Sequence, residues 1–306
     1  MQAFLDQARD IPELTRWQLR EYVEGFHAAD LTRMSVHALA SAERAAETVQ
    51  GTRQFRITQG YGALVDWLRT ELSVHGVKVH CQTMAKGVRW KPGAAEVVTT
   101  TPEGTRSFAA ATVIVTVPVG VLKDGGPTGL AFQPELPGTA EALAGLEMGH
   151  VMKVVLQFSS RFWPVENFGF IHSTDEWLPT WWADERGAIL TGWAGGPRAE
   201  RLNSADEAFL RSEVVRALSS IFQVDEKRVT DLLENLHVHH WSLDFWARGA
   251  YSYIGVGGLD APRRLAEPVE QTVYFAGEAL AAPGQQGTVH GAIESGRKAA
   301  ERMMRG

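Results

Sequence analysis

The stretch TVYFAGEALAAPGQQGTVHGAIESGRKAAERM (272–303) constrains the fold more than any other. An apolar, β-branched and aromatic run ends on Gly277-Glu278, a Gly/Pro-rich loop follows, and a helix is predicted from about Thr288 to Met304. TVYFAG (272–277) has the character of a buried parallel strand, and open α/β sheets bind ligands at the carboxyl ends of such strands. Pro283, Gly284 and Gly287 let the backbone turn tightly and approach a ligand closely. The helix start offers unpaired N–H groups and the positive end of a dipole, which suits a phosphate or another electron-rich group. A carboxylate at Glu278 fits sugar hydroxyls. An ordinary strand, loop and helix with a surface Glu explains the same residues without a ligand.

A second run, ATVIVTVPVGVL (111–122), is nearly unbroken in apolar and β-branched residues and reads as a strand buried on both faces. Between the N-terminus and this run, residues 1–50 carry helical spacing, and Gly60 opens a helix whose Ala63, Leu64, Trp67, Leu68 and Leu72 share one stripe, with Gly76 as its stop. VKVHC (77–81) is predicted as a strand. GVRWK (87–91), AEVVTTT (95–101) and RSFAA (106–110) are predicted as an antiparallel meander. Beyond Pro127, MKVVLQF (152–158), FGFIH (168–172), TWWAD (180–184), AILTGWAG (188–195) and NLHVHHW (235–241) are predicted strands of a mixed sheet. SADEAFLRSEVVRALSSIF (204–222) is predicted as an amphipathic helix capped by Ser204.

Composition excludes several classes. The 306-residue chain is 44% hydrophobic and 22% charged, ordinary for a globular protein. Its net charge of −6 gives no reason to expect nucleic acid or an acidic membrane as partner. One cysteine, Cys81, rules out an intrachain disulfide and a Cys-rich metal site. His237, His239 and His240 alternate on a strand, but no acidic or thiolate third ligand stands nearby, so no metal is expected. The start lacks the apolar core of a signal peptide, and no apolar run reaches membrane-spanning length, which makes a cytoplasmic location the expectation. Ten tryptophans supply core, and also walls for a flat ligand.

FAGE followed by GTVHGAIESGRKAA resembles the C-terminal FAD-binding motif of flavin amine oxidases, the group of polyamine oxidases, monoamine oxidases and flavin-type histone lysine demethylases. Four further segments resemble that family in its own order: EGFHAADLTRMS, GYGALVDWL with VIVTVPVGVLK, MGHVMKVVLQFSSRFWP, and WSLDFWARGAYSYIGVG. The resemblance implies an α/β (α+β mixed) fold: the C-terminal portion of a two-domain FAD-linked amine oxidase. The parallel FAD-binding sheet would be incomplete, and the substrate domain would be a mixed sheet with helices. The implied segments are 1–55, the helical part of the substrate domain; 56–130, the middle of the FAD domain; 131–245, the substrate domain with its mixed sheet; and 246–306, the C-terminal segment of the FAD domain. It further implies that Glu278 binds the ribose or ribityl region of FAD beside Gly277. Gly287, Thr288 and Val289 would meet the flavin pyrimidine, Thr116, Val117 and Pro118 would lie beside the isoalloxazine, and backbone near Ala85 would meet the adenine. Lys153 would be catalytic, holding a water near flavin N5, and Trp246 and Tyr251 would line the amine pocket. Monoamine oxidases tether FAD through a cysteine just before the tyrosine of this wall, where this chain has Ala250, so noncovalent FAD is implied. A second family tyrosine is replaced by Thr288, which makes a two-tyrosine cage doubtful.

The family's opening strand, G-x-G-x-x-G and helix are not found in this sequence; GWAGGPRAERL has adjacent glycines at the wrong spacing. The expectation is therefore a subunit of an FAD-dependent amine oxidase. It would oxidise an amine to an imine, with O2 reduced to hydrogen peroxide, and a second chain would carry the G-x-G-x-x-G unit. Two other readings stay open: a noncatalytic truncated paralogue acting as a binding or regulatory module, and another flavoprotein dehydrogenase of the same superfamily.

Overall fold

The computed structural model describes residues 1–48, 57–126, 129–163, 169–184 and 187–305. Phe168, the first residue of the strand predicted at 168–172, lies outside the described residues, and the strand observed is Phe170–His172.

The strand Val151–Phe158 organises the largest core. Met152, Val154, Leu156 and Phe158 are buried on one face, as strict alternation requires. They pack against Leu210, Val214 and Leu218 of the helix Glu207–Phe222. The cap of that helix is Asp206, whose carboxylate accepts from Phe209 N–H at 2.8 Å; Ser204 instead closes the short 3-10 turn Leu202–Ser204. Both residue types cap well, so residue type alone does not choose between them. The five strands run in the order Leu233–Val238, Val151–Phe158, Ile189–Gly195, Thr180–Ala183, Phe170–His172. Every pairing is antiparallel, so this sheet is not the mixed sheet predicted. Short connections join its last three strands in sequence, and short links permit only antiparallel neighbours.

The meander Met84–Lys91, Ala94–Thr101, Gly104–Ala110 forms as expected, with Ala131–Gln133 added parallel to its first strand. Gly93, at φ +78, makes its tight turn and donates its N–H to Thr272 Oγ1 at 2.7 Å. That bond ties the meander to the third element of the frame, a parallel pair of Val113–Val115 with Val273–Phe275. The long apolar run at 111–122 thus yields a strand of three residues. Pro118 ends it by capping the short helix Val119–Leu122. Val273, Tyr274 and Phe275 are all buried.

The N-terminal helices Gln2–Gln7 and Glu13–Glu21 lead into a π-helical turn, Tyr22–Phe26, and then the helix Val36–Thr48. Their small core of Leu5, Val23, Leu31, Met34 and Leu39 is joined by Tyr253 from the distant strand Ser252–Ile254.

One element breaks the pattern. The helix Tyr61–Val74 starts after Gly60 at φ +79 and stops before Gly76 at φ +70, but it buries nothing. Trp67 is 57% exposed and Val74 75%, and Tyr61, Val65, Leu68 and Leu72 are exposed beside them. The strand predicted at 77–81 is not formed: this segment is exposed and unpaired. A strand exists only through a laddered neighbour, and the described residues offer none here.

Candidate functional site

A cavity of about 2030 Å³ lies where the antiparallel sheet, the N-terminal helices and the 276–288 loop meet. This is roughly twice the volume of pockets that hold drug-sized molecules. Three walls define it.

The first wall is the sheet face opposite the main core. Lys153 stands in register with Trp193 across the strand pair, and its Nζ lies 5.9 Å from the ring centroid of Trp182. Trp182 and Trp193 are 6.0 Å apart, and Phe170 packs edge-on against Trp182 at 5.6 Å. Phe170, His172, Trp182 and Trp193 line the cavity. Period-2 alternation puts them on this face, since Trp181, the neighbour of Trp182, is fully buried in the core on the other.

The second wall is the π-helical turn Tyr22–Phe26. It is fixed from three sides. Trp193 Nε1–H donates to Gly25 O at 2.8 Å, Tyr251 O–H donates to Phe26 O at 2.5 Å, and Arg198 makes a bidentate pair with Glu21 at 3.1 and 3.2 Å.

The third wall is the loop into the last helix, Val289–Arg305. Glu278 organises it. Its carboxylate accepts from Ser252 N–H at 2.9 Å, Ser252 Oγ–H at 3.0 Å and Gly287 N–H at 2.9 Å. Burial pushes the Glu278 pKa up, and these three donors pull against it. Gly287, at φ +71, passes beneath Tyr251, where an added Cβ would lie 3.4 Å from the ring. Thr288 donates its hydroxyl to Gln285 O at 2.6 Å and accepts from Gly291 N–H at 3.0 Å, which caps the helix. The N–H groups of Val289 and His290 have no intrahelical acceptor, by the geometry of a helix start. Burial, with Glu278 nearby, also raises the Tyr251 pKa, so the phenol stays protonated and donates.

Of the residues singled out in the sequence, Tyr251, Pro283, Gly284, Gly287 and Thr288 line the cavity. Glu278 sits behind this wall, its oxygens bonded to the N–H and hydroxyl of Ser252 and to Gly287 N–H. Gly277, at φ +150, has open space where a side chain would be. Thr116, Val117 and Pro118 follow the strand Val113–Val115, at the same end of the parallel pair as Gly277, because Ala276 N–H donates to Val115 O at 3.0 Å. Lys153 approaches through Trp182 and Trp193. Val289 is exposed at the helix start. Trp246 is 61% exposed and packs on Phe245, outside the cavity lining. Ala85 lies exposed on the meander, paired with Thr99. His239 Nε2 is 2.9 Å from the Asp244 carboxylate, and among the described residues no group of three or more His, Cys, Asp or Glu side chains is placed to hold a metal. Phe170, Trp182, Trp193, Tyr22, Phe26 and Ser252 are added by the structure. For the two tryptophans the signal was present: they fall on Lys153's side of their strands once the register is known.

A parallel pair whose carboxyl ends meet a glycine-rich loop and a helix start, set beside an aromatic sheet wall, defines an α/β protein with one large cavity at that meeting point. The chain belongs to the flavin containing amine oxidoreductase family, which matches residues 4–304. It is 32% identical over 247 residues to polyamine oxidase 3 of Oryza sativa subsp. japonica, covering 75% of this chain and 48% of that one. It is 28% identical over 260 residues to lysine-specific histone demethylase 2 of Homo sapiens, covering 81% and 30%. In fold it is similar to cyclohexylamine oxidase from Brevibacterium oxydans IH-35A, with a TM-score of 0.76 at 19% identity, over 99% of this chain and 66% of that one. A putrescine oxidase bound to putrescine matches with a TM-score of 0.60 at 22% identity, over 73% and 49%. The chain thus spans about half the length, or less, of the curated relatives it matches. Among the described residues no helix is long and apolar enough to cross a membrane.

Proposed function

We propose that this chain is the substrate-binding and flavin-facing part of an FAD-dependent amine oxidase, completed by a second chain that carries the G-x-G-x-x-G unit. The observation that carries the reading is one cavity, large enough for a dinucleotide and a substrate, walled by Tyr251, the Gly287–Thr288 helix start and the Trp182/Trp193 face beside Lys153. The fit is chemical as well as spatial. The free N–H groups of Val289 and His290 suit the electron-rich pyrimidine edge of a flavin. Gly277 leaves room for close approach, and Arg263, Lys298 and Arg302 add positive charge to the cavity lining for phosphate.

Bound FAD supplies the redox chemistry: hydride acceptance from the carbon beside the amine nitrogen, giving an imine, and return of the electrons to O2 as hydrogen peroxide. The chain's own residues position and polarise. Thr116, Val117 and Pro118 would flank the ring at the ends of the parallel pair. Glu278 would act by fixing Ser252 and Gly287 rather than through the ribose. Tyr251 would present its ring to the amine. Lys153 Nζ would hold a water against the sheet wall, where it can serve proton transfer and imine hydrolysis. Ala250 offers no side chain for a covalent tether, which supports noncovalent FAD.

The bare apolar side of the helix Tyr61–Val74 supports a further covering element there, the place the G-x-G-x-x-G unit would take. The test is co-expression with a polypeptide bearing the G-x-G-x-x-G unit, followed by anaerobic addition of amines. Loss of the flavin's visible absorbance, with hydrogen peroxide formed on re-aeration, is the expected result. No flavin bound, or flavin that no amine bleaches, refutes the reading.

A further inference from the structure

We propose that Ser242, His150 and Glu200 act as a serine nucleophile, its general base and the carboxylate that orients the base, giving the chain a hydrolytic activity on small esters outside the cavity. None of the three lines that cavity, and the inference does not depend on the amine oxidation proposed there. His150 Nδ1 lies 2.9 Å from Ser242 Oγ, and His150 Nε2 lies 3.0 Å from Glu200 Oε1. Both distances are within hydrogen-bond reach, the spacing at which a base activates a hydroxyl and a third group holds the base. A carboxylate only accepts, so in the neutral ring Nε2 carries the hydrogen and Nδ1 is left to accept from the serine hydroxyl. The proton path therefore runs from Ser242 to His150, with Glu200 placed to stabilise the imidazolium that forms.

The three side chains come from separate segments whose backbones are tied together at the histidine. His150 O accepts at 2.9 Å from Gly196 N–H, the first residue of the helix Gly196–Arg201 that carries Glu200. Ala250 N–H donates to Gly149 O and Gly149 N–H to Tyr251 O, both at 2.8 Å, which anchors the end of the Ser242 loop beside the histidine. Within that loop Leu243 N–H donates to His240 O at 2.9 Å and Gly249 N–H to Trp241 O at 3.0 Å. The constellation is thus set before a substrate arrives. Ser242 N–H has no acceptor among the described residues, which leaves a main-chain donor at the nucleophile for the charge that develops on an attacked carbonyl oxygen. Ser242 is half-buried, and its neighbours Trp241 and Leu243, 42% and 65% exposed, offer apolar surface for an acyl chain. One such donor in an open site suits esters with good leaving groups rather than peptides.

In the reaction, Ser242 Oγ bonds to the ester carbonyl carbon as its proton passes to His150 Nδ1. The bond to the leaving oxygen then breaks, that oxygen takes the proton from His150, and the alcohol departs from an acyl-Ser242. Water repeats the steps: its oxygen bonds to the acyl carbon, its proton passes through His150 to Ser242 Oγ, and the carboxylic acid is released. The sum is ester plus water giving acid plus alcohol, with no oxidant or reductant.

The experiment uses the full chain without flavin or amine, so its outcome does not bear on the oxidase reading. Wild type, Ser242→Ala, His150→Gln and Glu200→Gln are given p-nitrophenyl acetate, and release of p-nitrophenolate is followed. In parallel each is treated with a fluorophosphonate, which captures activated serines, and the modified residue is located by peptide mass spectrometry. The wild type should turn over the ester and carry the label at Ser242, and Ser242→Ala should lose both. His150→Gln should slow turnover and labelling by about 10²–10⁴-fold, the range of general base catalysis. Glu200→Gln, a positioning change, should lower kcat about tenfold with KM unchanged, the size of one charge-assisted contact. Urea unfolding shows whether each variant keeps its fold, and the wild-type label decides the matter if one does not. A wild type that lacks either turnover or the label at Ser242 overturns the proposal. So does a Ser242→Ala chain that hydrolyses the ester at the wild-type rate, as a surface imidazole acting alone would.

Discussion

Replacing Glu278 with Ala should destabilise the chain through loss of position rather than loss of a ligand contact. The carboxylate accepts three hydrogen bonds, two of them from Ser252, which is buried. The third donor, Gly287 N–H, lies in an exposed setting where water can take over. Leaving the two Ser252 donors unpaired in a buried site should cost about 2–4 kcal/mol. For a chain of this size that is a fall in melting temperature of roughly 5–10 °C. The charge adds a pH signature. Burial holds the folded pKa of Glu278 above its ordinary value of 4.5. The folded state therefore binds more protons than the unfolded state in the window just above pH 4.5. The stability associated with this group is full below that window and is lost as pH rises through the folded pKa. Glu278→Gln keeps one acceptor for Ser252 and removes the charge, so its stability should lack that decline. Urea unfolding of the wild type and both variants across pH 4–8 gives all of these quantities. A Glu278→Ala chain within about 0.5 kcal/mol of the wild type, the range of ordinary surface changes, would refute the reasoning.

Trp67→Glu with Leu72→Glu should leave the stability of the isolated chain within about 0.5 kcal/mol by urea unfolding, since neither side chain is buried, yet should prevent co-purification with the second chain. A large loss of stability would mean that this helix face is already covered. His27→Gln should remove an acid sensitivity: burial depresses the folded pKa below the ordinary 6.5, so its contribution is full above 6.5 and is lost as pH falls through the folded value. Thermal melts between pH 5 and 8 check this, and parallel curves for the two proteins would contradict it. Lys153→Met should slow turnover or flavin reoxidation in the two-chain complex while leaving flavin content unchanged, and stopped-flow traces matching the wild type would remove Lys153 from the mechanism.

Local pattern carried much of this fold. MKVVLQF reads as a strand and forms one, with Lys153 on the face opposite the core, and the Pro/Gly loop before Thr288 marked the helix start. What the sequence did not carry were relations between distant segments. Strand direction in the five-stranded sheet depends on neighbours rather than on composition. The segment 77–81 has the composition of a strand, but composition cannot supply the partner a strand requires. Glu278 is held by Ser252, 26 residues away, a bond that no local pattern announces. The π turn has no signature in EYVEGFH, because the side chains that anchor it, Trp193 and Tyr251, come from distant segments.

The most direct test of the central claim is an FAD titration of this chain, alone and then with the polypeptide that carries the G-x-G-x-x-G unit. Weak, sub-stoichiometric binding by the single chain, stoichiometric binding by the pair, and loss of that binding in Gly287→Val is the predicted result. Full flavin occupancy of the single chain, or a paired Gly287→Val complex that binds FAD like the wild type, would contradict it.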